Sequence, residues 1–198
     1  MTKIAVLVSG GGTNLQALID SWKAGSLSGG ELSLVISSVE GAFALERAQK
    51  AGIKTLTIAR KKYESQTDFD SCIADALSEE KIDLAVLAGF LSILGEKVLN
   101  KYSNKIINVH PALIPSFCGK GFYGLRVHKA VLEYGVKITG ATVHLVNEIV
   151  DGGKIILQKA VDVSADDTPQ SLQQRVMREC EWVLLPKAVA MFCSGEVF

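Results

Sequence analysis

Ile4-Ala5-Val6-Leu7-Val8-Ser9-Gly10-Gly11-Gly12-Thr13-Asn14-Leu15 decides the fold class of this chain. Its first five residues are an apolar, partly β-branched run of strand length, the pattern of a strand buried on both faces. Three glycines follow. Thr13 or Asn14 can then cap a helix whose apolar face is Leu15, Leu18 and Ile19. Strand, glycine turn and helix in that order form the opening unit of an α/β sheet.

The same alternation continues outward. Strands are expected at 32–37, 54–58, 84–88 and 106–110, with helices at 42–51, 69–80, 93–100 and 127–134 between and after them. Residues 141–146 and 155–163 read as two strands with no helix between them, and 166–168 open a long final helix that Pro186 can kink. A single α/β domain over 1–198 follows: a mainly parallel twisted sheet flanked by helices. Its N-terminal half is Rossmann-like and its C-terminal edge mixed or antiparallel.

The glycine loop lies where α/β sheets place ligands. A dinucleotide fingerprint needs a third glycine where Leu15 stands, and a P-loop needs G-K-[ST] where Gly12-Thr13-Asn14 stands. Two readings stay open: a tight turn with a capped helix, or a site for a single phosphate.

Ile106-Ile107-Asn108-Val109-His110-Pro111 carries the most chemistry. Positions i and i+2 of a strand project to one face, so Asn108 and His110 point together and Val109 points away. Histidine moves protons near neutral pH, and an Asn N–H can donate to a developing oxyanion. Together they suit acyl transfer in which the substrate brings its own amine. Ser116 and Cys118 sit on no recognisable nucleophile elbow. In Asn147-Glu148-Ile149-Val150-Asp151-Gly152-Gly153 the acid precedes two glycines. That is a common turn pattern; near His110, Asp151 would raise the imidazole pKa. His128 falls on a helix and reads as a surface residue, and His144 as a hydrogen-bonded strand residue.

Composition excludes several classes. The chain has 198 residues, 48% hydrophobic and 21% charged, with 21 basic and 21 acidic side chains. That balance leaves no electrostatic footprint for nucleic acid or an acidic membrane. No stretch is of membrane-spanning length. The four cysteines form no C-x-x-C pair and suggest neither zinc nor a disulfide framework. Without a basic leader, the reducing cytoplasm is the expected compartment.

Taken in order, Val8 to Gln16, Leu87-Ala88-Gly89-Phe90, Asn108 to Pro115, Thr139 to His144, Asp151-Gly152-Gly153 and Ile156-Leu157-Gln158 resemble the phosphoribosylglycinamide formyltransferases, a folate-dependent formyltransferase family. The resemblance runs along essentially the whole chain. It implies that 10-formyltetrahydrofolate serves as co-substrate, that glycinamide ribonucleotide accepts the formyl group in purine synthesis, and that no metal is needed. It implies Asn108, His110 and Asp151 as catalytic residues, with Asp151 organising a proton-shuttling water. Gly12, Thr13, Asn14 and Glu181 would hold the ribonucleotide. Leu91, Ser92, Ile93 and Leu94, with Asn147, Glu148, Ile149, Val150 and Asn108, would hold the folate. Residues 1–100 would be the phosphate-binding half and 101–198 the catalytic and folate-binding half of a monomer or homodimer.

The chain departs from the family at Ser92 and Gln66, where arginines often stand, and in a longer loop over 117–126. Lys120 in that loop could reach a phosphate or a glutamate tail. Glu179 competes with Glu181 as the acid. Alternatives are a formyltetrahydrofolate hydrolase, disfavoured by a start directly at the first strand; a tRNA formyltransferase, disfavoured by an end at Phe198 without a basic extension; and a non-catalytic nucleotide-binding module, which would not require the three polar groups to converge.

Overall fold

In chain order the computed structural model has β1 (Thr2–Val8), α1 (Thr13–Lys23), β2 (Gly30–Ser37), α2 (Phe43–Lys50), β3 (Lys54–Thr57), α3 (Gln66–Glu79), β4 (Leu84–Leu87), α4 (Glu96–Lys101) and β5 (Ile106–His110). Then follow α5 (Leu125–Tyr134), β6 (Ile138–Leu145), β7 (Ile155–Asp162), α6 (Pro169–Val176), a π turn (Met177–Glu181) and α7 (Trp182–Cys193). The structure describes residues 1–196; Val197 and Phe198, included in the expected domain, lie outside the described residues.

One seven-stranded sheet has the order β3-β2-β1-β4-β5-β6-β7. β1 to β5 pair in parallel, and β6 and β7 join as an antiparallel edge. The expected fold class therefore holds. Alternation within β1 explains the layers. Ile4, Val6 and Val8 join Leu15, Leu18 and Ile19 of α1 and Leu185 and Val189 of α7 in one core. Ala5 and Leu7 join Phe69, Ile73 and Leu77 of α3 in the other. The order of building reverses between β1 and β4, and a doubly wound sheet opens a crevice at the carboxyl ends of such strands.

Three local expectations change. Neither Thr13 nor Asn14 caps α1. The N-cap is Gly12, left-handed at φ 70° with no side-chain cap. A Cβ at Gly12 would lie 2.6 Å from Ala44 Cβ, so glycine is required where the loop packs on α2. α4 starts at Glu96 rather than 93, because the preceding backbone bonds elsewhere. Gly95 N–H donates to Asp70 Oδ1 (3.1 Å), and Ile93 C=O accepts from Gln66 Nε2 (2.9 Å). The final helix is interrupted at the π turn, upstream of Pro186, which sits inside α7.

Candidate active site

A cavity of about 450 Å³ opens at the carboxyl ends of β1, β4 and β5. Thr13 and Asn14 line one part; Leu91, Ser92, Ile93 and Leu94, with Asn147, Glu148, Ile149 and Val150, line another. Asn108, His110 and Asp151 lie on its wall, as does Glu181. Of the expected site residues only Gly12 is not in the lining; it shapes the turn behind Thr13.

β5 sets Asn108 and His110 on one face. β6 runs antiparallel beside it and puts His144 directly opposite Asn108. Asn108 Nδ2 donates to His144 Nε2 (3.1 Å), whose Nδ1 faces the Leu145 carbonyl oxygen (2.7 Å). The second Asn108 N–H points to Asp151 Oδ1 at 3.4 Å.

The turn after β6 brings Asp151 in. Asn147 Oδ1 accepts from Ile149 N–H (3.0 Å), and Asp151 takes a left-handed φ of 57°. A Cβ at Gly153 would stand 1.8 Å from the Leu145 carbonyl oxygen, so the two glycines are needed for the close return of the chain. Asp151 Oδ2 accepts from Gly119 N–H (2.8 Å) and lies 3.5 Å from His110 Nδ1. Burial pushes the Asp151 carboxyl up, but His144, His110 and the Gly119 N–H outweigh it and hold the group below its ordinary value.

His110 is 4% exposed. Its Nε2 donates to the Phe117 carbonyl oxygen (2.9 Å). Burial lowers the imidazole pKa by more than Asp151 and the Phe117 carbonyl raise it. Asp151 thus acts in the expected direction, while the net shift runs the other way because desolvation is larger.

Elsewhere in the lining, Asn14 Nδ2 donates to Glu181 Oε2 (2.7 Å). Burial raises the Glu181 carboxyl to about 7 against that bond. Glu179 is partly exposed and bonds Arg178, whereas Glu181 is buried and lines the cavity. The π turn ends on Glu181 and leaves consecutive residues, Cys180 and Glu181, both buried. Lys120 is exposed at the rim.

His128 departs most from its expected place. It is fully buried, lines the cavity, and among the described residues has no hydrogen-bond partner at either ring nitrogen. Its spacing of three and four residues from Val131 and Leu132 puts it on the apolar face of α5, the sequence signal that a surface reading overlooks. Ser9 was also missed: its Oγ bonds Ser38 Oγ (2.7 Å) and accepts from Leu91 N–H (2.9 Å), pinning the 91–94 loop to β1. Gln66 is spent on Asp70 (2.8 Å) and Ile93, bracing the same loop.

Fold and site together define an α/β domain with a cavity at its strand ends, where Asn108, two histidines and Asp151 converge. The formyl transferase family model matches residues 2–189. The chain belongs to the formyl transferase family. It is 38% identical over 197 residues to the phosphoribosylglycinamide formyltransferase of Haemophilus influenzae, covering 100% of this chain and 90% of that one. It is 46% identical over 195 residues, 98% of its length, to the trifunctional purine biosynthetic protein adenosine-3 of Gallus gallus, but spans only 19% of that protein. The crystal structure of glycinamide ribonucleotide transformylase 1 from Symbiobacterium toebii superposes with a TM-score of 0.92 at 40% identity, covering 98% of this chain and 89% of that one.

Proposed function

We propose that this chain transfers the formyl group of 10-formyltetrahydrofolate to the amine of glycinamide ribonucleotide. One observation carries the proposal: Asn108, His110 and Asp151 meet on one wall of a cavity that runs from the uncapped N-terminus of α1 to the apolar loops at 91–94 and 147–150. The free N–H groups of α1 suit the phosphate beside Thr13 and Asn14, with Glu181 accepting from the ribonucleotide. Exposed Leu91, Ile93, Ile149 and Val150 suit the flat pterin, with Ser92, Asn147, Glu148 and Asn108 as polar partners. On this proposal residues 1–100 chiefly bind phosphate and 101–198 chiefly bind folate and carry the chemistry.

The amine attacks the formyl carbon and forms the new C–N bond. The carbonyl oxygen becomes an oxyanion, which Asn108 and protonated His110 stabilise. The weak 3.4 Å contact to Asp151 is the Asn108 N–H that substrate takes over. The Phe117 carbonyl is the replaceable partner of His110 Nε2. One proton then passes from the attacking nitrogen, through His110 and a water held by Asp151, to the folate nitrogen as its bond to the formyl carbon breaks. Alignment of both substrates supplies much of the acceleration, and no metal enters the step. A cytoplasmic monomer or homodimer is part of the proposal; the four cysteines are free, as suits a reducing compartment.

The test is an assay of purified protein with 10-formyltetrahydrofolate and glycinamide ribonucleotide, with water as control acceptor. Formyl transfer to the ribonucleotide is expected. Deformylation at the same rate without it would instead make the protein a hydrolase, and no turnover at all would favour a binding module.

A further inference from the structure

Among the described residues, four buried side-chain polar atoms have no hydrogen-bond partner: Asn14 Oδ1, both ring nitrogens of His128, and Thr139 Oγ1. Three of the four belong to residues lining the one cavity. A buried polar atom without a partner costs about 1–3 kcal/mol, and such groups are rare unless something completes them. His128 is the most costly case, since its ring is wholly buried and both nitrogens are unspent.

The position of His128 fits a ligand contact. It sits in the first turn of α5, lines the same cavity as Asn14 and Glu181, and is close enough to His110 for the two rings to repel as cations. Burial, aided by that repulsion, lowers its pKa to about 4, so the ring is neutral at pH 7. Neutral imidazole offers one N–H donor and one acceptor. That pair matches a group that both donates and accepts, a hydroxyl or a carboxamide. It does not match a phosphate, which only accepts.

We infer that His128 is a substrate-binding residue that holds a hydroxyl or carboxamide of the ribonucleotide acceptor beside His110. The inference rests on the formyl-transfer proposal above, and its test separates the two. His128→Leu is expected to raise KM for the ribonucleotide about tenfold, the worth of one hydrogen bond, with KM for 10-formyltetrahydrofolate unchanged. Because Leu removes an unsatisfied polar group, its Tm is expected to equal or exceed the parent's. A histidine kept for packing would lower Tm instead. His128→Gln keeps a neutral donor and acceptor and is expected to restore ribonucleotide affinity to within about threefold of the parent. Ribose 5-phosphate and glycinamide, each as competing ligand, separate the two sources: the one weakened in the Leu variant carries the group His128 holds. An active parent enzyme with an unchanged ribonucleotide KM in His128→Leu overturns the inference. So does a lowered Tm with both KM values disturbed, a Gln variant as weak as Leu, or neither competitor weakened. An inactive parent enzyme would count against the formyl-transfer proposal itself.

Discussion

The two walls of the cavity are built on opposite terms. On the β5–β6 wall, Asn108, His144, Asp151 and His110 are partnered with one another or with backbone groups of the surrounding loops. Across the rest of the cavity wall, Asn14 and His128 are buried with hydrogen-bonding atoms unspent among the described residues, and Glu181 is held by the bond from Asn14. A satisfied network fixes geometry before substrate arrives, as the proposed acid–base centre needs. An unsatisfied one stores free energy that an entering polar ligand releases. The first wall should therefore respond to substitution in turnover, and the second in binding and in pH-dependent stability.

The largest break in that contrast should come from His110→Ala. Turnover is expected to fall by about 10²–10⁴ while ribonucleotide binding, read by calorimetry, stays within a few-fold. Near-normal turnover would remove His110 from the chemistry. Next comes Gly153→Ala. A methyl group 1.8 Å from the Leu145 carbonyl oxygen forces the Asp151 turn open. We expect a loss on the order of 2–3 kcal/mol in denaturant unfolding together with reduced turnover. Full stability would show that the turn relaxes freely. Asp151→Asn keeps the shape and removes the charge. Turnover is expected to drop by about tenfold to a hundredfold, with the alkaline limb of the pH–rate profile moving to lower pH, since the carboxylate supports the His110 cation. An unmoved limb would assign the positioning of His110 to Phe117 alone.

The smallest effect sharpens the second wall. Folded Glu181 titrates at about 7, above its ordinary value of 4.5, so the folded state binds the extra proton. Its contribution to stability is present below about 4.5 and lost as pH rises through 7. Glu181→Gln should flatten that fall in urea midpoints between these pH values. Folded His128 titrates at about 4, below 6.5, so its contribution runs the other way and is lost as pH falls from 6.5 to 4. Parent stability that is steeply pH-dependent between 4.5 and 6.5 would show that one of the two groups dominates rather than offsetting the other.

What the sequence by itself determined follows from local periodicity. Alternating residues of β1 had to face two layers, so the apolar run before the glycines read as a buried strand. The i, i+2 rule put Asn108 and His110 on one face. Longer-range features left no such trace. His144 became the partner of Asn108 through antiparallel pairing, and Asp151 reached His110 only because the β6–β7 turn folds back over β5. Glu179 and Glu181 share a π turn, whose added residue per turn no composition marks, and of the two acids only Glu181 is buried. The start of α4 moved to Glu96 because Asp70 and Gln66, more than twenty residues away, took the backbone groups that a helix would have used. His128 shares the apolar face of α5 with Val131, but that this face borders the cavity appears only in the folded chain. Burial and convergence depend on distances between segments, and those distances exist only once the chain is folded.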